Sequence, residues 1–143
     1  MDLLQLATQF VYKPIHGRYV TNEMVSDFIK TLNSDFTISE LGKSVQGKSI
    51  KSIQYGTGHL KIFMWSQMHG NESTTTKGLL DFLNYLNSNE NDGNEIKKNY
   101  TLLCIPILNP DGAEMYTRFN ANEVDLNRDA KQQTQPESIV LRD

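Results

Sequence analysis

Leu60-Lys61-Ile62-Phe63-Met64-Trp65-Ser66-Gln67-Met68-His69-Gly70-Asn71-Glu72-Ser73 contains the change of pattern on which the fold turns. Its first six residues are nearly all apolar, as expected of a strand buried on both faces. After Glu72 the spacing becomes helical for about four turns. Leu79, Leu80, Phe82, Leu83 and Leu86 form the buried face, and Lys77 and Asp81 point to water. The polar segment 87–99 contains Asp92-Gly93 and reads as a surface loop. Tyr100 to Leu108 is then a further core strand, with Pro106 near its end, where no ladder donor is needed. Strand, helix, strand predicts a right-handed crossover between parallel neighbours, hence an α/β fold. Ligands in such sheets sit at the carboxyl ends of strands. One strand delivers His69 and Glu72 to that edge, and the other delivers the turn Asn109-Pro110-Asp111-Gly112.

Working back towards the N-terminus, Ile50 to Tyr55 reads as a strand, and Phe36 to Leu41 alternates as a half-buried one. Gly42 to Lys48 is a turn region between them. Gly56-Thr57-Gly58-His59 is a tight turn; it lacks the third glycine and following helix of a dinucleotide site. A helix starts at Thr21 or Asn22, carries Met24, Val25, Phe28, Ile29 and Leu32 on one stripe, and closes at Asn33-Ser34. Leu3, Leu4, Leu6 and Ala7 suggest a short apolar helix, ended before Pro14; His16 to Tyr19 is a loop with His16 at the surface.

At 143 residues the chain is read as one domain, 1–143. A net charge of -3 and scattered lysines, with no basic run interleaved with aromatics, argue against a nucleic-acid partner. No apolar window has the length to span a bilayer. The single cysteine, Cys104, lies in an apolar run and reads as a small core residue; it leaves no internal disulfide. The first residues lack a basic n-region and a cleavage site, so the expected location is cytoplasmic.

The chemistry collects in two places. His69 and Glu72 offer an imidazole nitrogen and a carboxylate oxygen, donors that suit zinc. The same spacing also arises in a strand-end histidine followed by a first-turn glutamate favoured by the helix dipole. The second place is Tyr116 to Asp129, with Arg118, Arg128, three asparagines and isolated apolar residues. A solvated loop would account for its polarity. Beside a metal pair, two guanidiniums point to anion recognition, because arginine presents a planar fork that fits a carboxylate.

From Leu41 to Arg128 the sequence resembles the zinc carboxypeptidases. Four blocks carry the resemblance: Leu41 to Lys48, His69-Gly70-Asn71-Glu72, Asn109-Pro110-Asp111-Gly112, and Arg118-x-Asn120 leading to Asp125-Leu126-Asn127-Arg128. Each is weak alone; in this order they are specific. The resemblance implies a mixed, partly parallel sheet in a three-layer α/β/α arrangement, with Zn2+ as cofactor. It implies His69 and Glu72 as two of three protein zinc ligands, with water in the fourth place. Arg118 would stabilise the oxyanion, and Asn127 and Arg128 would hold the free carboxylate of a C-terminal residue. The implied partner is a peptide or small amide substrate with that carboxylate, and the implied activity is metallocarboxypeptidase. Asp125 reads as a structural hydrogen-bonder. Asn71 stands where the family often has arginine, and Asp129 where it usually has asparagine, beside Arg128.

No histidine follows His69 in this chain. The family's third ligand and its general-base glutamate lie well downstream of the Asn-Arg pair. The expectation is therefore a truncated domain, roughly the first half, inactive alone and with an open apolar sheet edge prone to self-association. Residues from Pro136 onward read as a helix with proline in its first turn. Two rival readings are a zinc-dependent deacylase of N-acyl amino acids and a non-catalytic carboxylate-binding domain of the same fold.

Overall fold

A computed structural model describes residues 3–88 and 91–142. In chain order the elements are α1 (Leu3–Gln9), α2 (Asn22–Ile29), β1 (Phe36–Lys43), β2 (Ser49–Tyr55), β3 (Leu60–Trp65), α3 (Thr74–Asn87), α4 (Asn91–Asn99), β4 (Tyr100–Ile105), α5 (Pro110–Met115), α6 (Leu126–Asp129) and α7 (Pro136–Arg142). The four strands form one sheet in the order β1-β2-β4-β3. β1 pairs antiparallel with β2, and β2 antiparallel with β4. β3 and β4 run parallel, Leu60 opposite Tyr100 and Trp65 opposite Ile105, as the strand–helix–strand pattern requires. The sheet is mixed and the class is α/β. Among the described residues no helix is long and apolar enough to cross a membrane.

At its two central strands the sheet is covered on both faces, because β2 and β4 are apolar on alternate positions of each face. Ile53, Tyr55, Leu102 and Cys104 join Val25 and Phe28 of α2 and Leu80, Leu83 and Leu86 of α3 in the main core. Ile50, Ile105 and Leu108 face the other way, where Val140 and Leu141 of α7 close a smaller cluster. Burial pushes the Cys104 thiol up to about 12, so it is a core residue with no accessible thiolate.

Several expectations are corrected. β3 is an outer strand, not a central one: Leu60, Ile62, Phe63 and Trp65 remain 41–47% exposed, because only β4 flanks them. β1 is the opposite edge, and of its residues only Phe36 is buried. Ile38 and Leu41 stay open because short α7 covers that end of the sheet only around Gly42. Segment 87–99 contains the helix α4, apart from residues 89–90, which lie outside the described set. Its sequence hid it: Ile96 is its one large apolar residue, and it packs on the core while Tyr55 Oη donates to Gly93 O at 3.0 Å. Asp92 in its first turn and Lys97 and Lys98 in its last complement the helix dipole. α2 ends at Ile29, short of Leu32. Lys77 and Asp81 do not simply face water. Lys77 Nζ donates to Gly17 O at 2.7 Å and Asp81 Oδ1 accepts from Tyr12 N at 2.7 Å, pinning the N-terminal segment to α3.

Candidate functional site

β3 and β4 end at the same edge, and the loops leaving them are stitched together. Ser66 N donates to Ile105 O, and Leu108 N and Asn109 N donate back to Ser66 O and Gln67 O. Gly70 packs so closely on the start of α5 that a Cβ there would overlap the Gly112 backbone. The expected turn at Asn109 is the buried entry to α5. Asn109 Oδ1 caps the helix from Gly112 N at 2.9 Å, and Pro110 occupies its first turn, where no donor is required. Asp111 is buried and binds Gln46 N at 3.0 Å and Lys48 Nζ at 2.9 Å, which ties the turn after β1 to this edge.

Gln67, which the sequence reading passed over, shapes the loop that carries His69. It sits at φ 47°, in the left-handed region, and is buried. Its Nε2 donates to Val20 O and Gly70 O, and its Oε1 accepts from Thr76 Oγ1 at 2.8 Å. The side chain holds the backbone in a conformation that a non-glycine residue rarely adopts. The available signal was two polar residues, Ser66 and Gln67, directly after an apolar run.

His69 and Glu72 come together as the spacing suggests. His69 Nδ1 lies 3.1 Å from Glu72 Oε2, with the imidazole 10% exposed and the carboxylate 59% exposed. The other ring nitrogen, Nε2, is 3.1 Å from Asp125 Oδ1. Arg118 bridges the two carboxylates: Nε donates to Asp125 Oδ2 at 3.0 Å and one terminal nitrogen to Glu72 Oε1 at 3.2 Å. Asp125 also caps α6 by accepting from Asn127 N at 3.0 Å. Burial opposes its ionisation, but hydrogen bonds from Arg118, His69 and Asn127 outweigh it and hold its carboxyl below the usual range. Asp125 is thus the hub joining histidine, arginine and the Asn-Arg helix, a wider role than the segment-end hydrogen bond expected of it.

This donor set is consistent with a cation. When Asp125 holds the ring proton on Nε2, His69 Nδ1 and Glu72 Oε2 are both acceptors. Two acceptors at 3.1 Å need a proton or a metal ion between them. A carboxylate behind a ligating imidazole is also the usual support of a metal-bound histidine. Among the described residues no group of three or more His, Cys, Asp or Glu side chains is placed to hold a metal, so the set stops at two.

Asn127 lines the same cleft as His69, Glu72 and Thr75, a space of about 270 Å³. Arg128 is exposed on α6, and its guanidinium pairs with no described carboxylate. Among the described residues Asp129 makes no ion pair with Arg128. Its buried carboxylate turns the other way, accepting from Thr134 N, Thr134 Oγ1 at 2.6 Å and Gln135 N at 2.9 Å. Burial opposes ionisation here too, but these bonds prevail and lower its pKa to about 2. His16 and His59 lie away from the cleft.

Comparison with known proteins gives a consistent picture. A family model described as zinc carboxypeptidase matches residues 23–139. Carboxypeptidase SOL1 of Arabidopsis thaliana is 32% identical over 131 residues, covering 82% of this chain and 27% of that protein. Carboxypeptidase E of Caenorhabditis elegans is 33% identical over 116 residues, covering 65% and 25% respectively. A metallo-carboxypeptidase from Burkholderia cenocepacia superposes with a TM-score of 0.78 at 20% identity, covering 87% of this chain and 37% of that one. The chain spans about a quarter of the length of these two curated relatives.

Proposed function

This chain belongs to the zinc carboxypeptidase family, and from that premise we propose that residues 1–143 form the N-terminal portion of a catalytic domain that removes C-terminal residues from peptides. The observation that carries the reading is the network in which His69, Glu72, Arg118 and Asp125 share four contacts of 3.0–3.2 Å.

In this reading His69 Nδ1 and the Glu72 carboxylate would hold the zinc ion. Bound zinc supplies a Lewis acid for the scissile carbonyl and lowers the pKa of water at the site. The chain's own residues do the rest of the positioning. Asp125 fixes the ring of His69 so that Nδ1 keeps its lone pair for the metal. Arg118, held at Nε by Asp125, keeps its terminal nitrogens over Glu72 and donates to the carbonyl oxygen as negative charge develops there. Asn127 and Arg128 receive the terminal carboxylate of the substrate, which restricts cleavage to the end of a chain. Arg128 suits the task because no described acid already occupies it and Asp129 faces elsewhere. The third protein ligand and the general base are assigned to the part of a family-length domain that this chain does not match. With two ligands among the described residues, the 143-residue chain by itself should bind zinc weakly and show no turnover.

The carboxylate half of the proposal is tested by backbone NMR titration with N-acetyl-phenylalanine against its C-terminal amide, with and without Zn2+. The free acid should shift the amides of Asn127 and Arg128, the amide compound should not, and Arg128→Ala should abolish the response. An equal response to both compounds would remove the carboxylate pocket from the account.

A further inference from the structure

Away from the cleft lies a buried carboxyl group that the proposed chemistry does not use. Glu137, in the first turn of α7, is 0% exposed. Its Oε1 accepts from Val45 N at 3.1 Å, in the turn after β1. Its Oε2 accepts from Asn120 Nδ2 at 3.1 Å. Asn120 is itself buried and locked: its Oδ1 accepts from both Asn122 N and Val124 N at 3.0 Å, and its Nδ2 also reaches Gln135 Oε1 at 2.8 Å. The loop folded around Asn120 carries Arg118 on one side and Asp125 on the other.

We propose that Glu137 is a positioning residue for the site. It clamps Asn120 so that the 118–125 loop presents Arg118 to Glu72 and Asp125 to His69. The donors facing Glu137 dictate a carboxylate. Val45 N can only donate, and Asn120 cannot turn its amide over without abandoning two backbone donors. Both partners therefore require an acceptor, and a carboxyl with two acceptor oxygens satisfies both. A glutamine of the same size satisfies one and sets its own NH2 against the other. A core role alone would call for an apolar side chain here, since burying a carboxyl costs free energy unless its bonds are made. The contacts made run to a site loop and to a turn, not to the apolar core. The link to metal affinity rests on the zinc reading above; the link to loop order does not.

The test compares Glu137→Gln with the parent chain, using Leu83→Ala as a control destabilised in the distant α3 core. Glu137→Gln should raise amide hydrogen exchange at Asn122 and Val124 by about tenfold or more, the loss of one buried hydrogen bond. It should also weaken Zn2+ binding several-fold, while Leu83→Ala matches it in stability and leaves both readings near the parent values. Should Glu137→Gln fail to fold, Asn120→Asp carries the test, because it keeps the acceptor for Asn122 and Val124 but removes the donor to Glu137. Exchange at Val124 unchanged, or raised equally by the control, overturns the proposal. If the parent chain binds no zinc, the zinc reading fails and the exchange data still decide the role of Glu137.

Discussion

Replacing Asp125 with alanine removes the group on which the site converges, and the cost can be worked from its contacts. Loss of the cap on Asn127 N costs about 1 kcal/mol. The His69 ring is 10% exposed, so stranding its Nε2 donor adds about 1 kcal/mol. The Arg118 side chain is 38% exposed and regains water, so its lost pair adds only about 0.5 kcal/mol. Asp125→Ala should therefore destabilise the fold by about 2.5 kcal/mol. In urea unfolding that is a midpoint lower by about 1 M, with the slope unchanged. Asp125→Asn keeps the volume and one acceptor and should lose about half as much. Zn2+ binding should weaken about 10–100-fold in the alanine variant, since the carboxylate orients the ligating ring. A stability loss below about 0.5 kcal/mol together with unchanged zinc affinity would refute the reasoning, because both effects are drawn from the same hydrogen bonds.

The Asp129 carboxyl has a folded pKa of about 2, below its ordinary value. Its stabilisation is therefore complete above the unfolded pKa near 4 and is lost as pH falls towards 2; urea midpoints for the parent should fall over this window more steeply than for Asp129→Asn. At pH 7 Asp129→Ala should cost about 2 kcal/mol, read from the same unfolding curves, through the stranded donors of Thr134 and Gln135. The outer edge of β3 is apolar on both faces, so the chain should self-associate with rising concentration in sedimentation velocity, and Ile62→Lys should suppress this. Cys104 is fully buried with its thiol pKa near 12, so a disulfide reagent should modify it only in denaturant.

The parts of the fold that local pattern determines were legible in the sequence. The bounds of β3 follow from its apolar run, the α3 stripe of Leu80, Leu83 and Leu86 from periodicity, and the parallel pairing of β3 with β4 from the crossover. Whether an apolar run is central or at an edge is not a local property. Leu60 to Trp65 reads as a core strand, yet it stands at the margin because nothing among the described residues pairs beyond it. Helix α4 was hidden for the opposite reason: a single isoleucine and the dipole-matched ends suffice once Tyr55 and α3 provide the surface it packs on. In the site, His69, Glu72 and Arg118 were found by residue type and are in contact. The supports around them were not, because Gln67 acts through backbone carbonyls, and Asp111 and Glu137 through backbone amides, up to 92 positions away in the chain. Polar residues flanking apolar runs give no hint of which distant backbone group they will meet.

The central claim is that His69 and Glu72 are two ligands of one metal site. Calorimetric titration of the 143-residue chain with Zn2+, repeated on His69→Ala and Glu72→Gln, tests it most directly. One weak equivalent of zinc, lost in both variants and accompanied by perturbation of the His69 ring signals, is the predicted result. Binding that survives either substitution, or a parent chain that takes up no zinc at millimolar concentration, would contradict it.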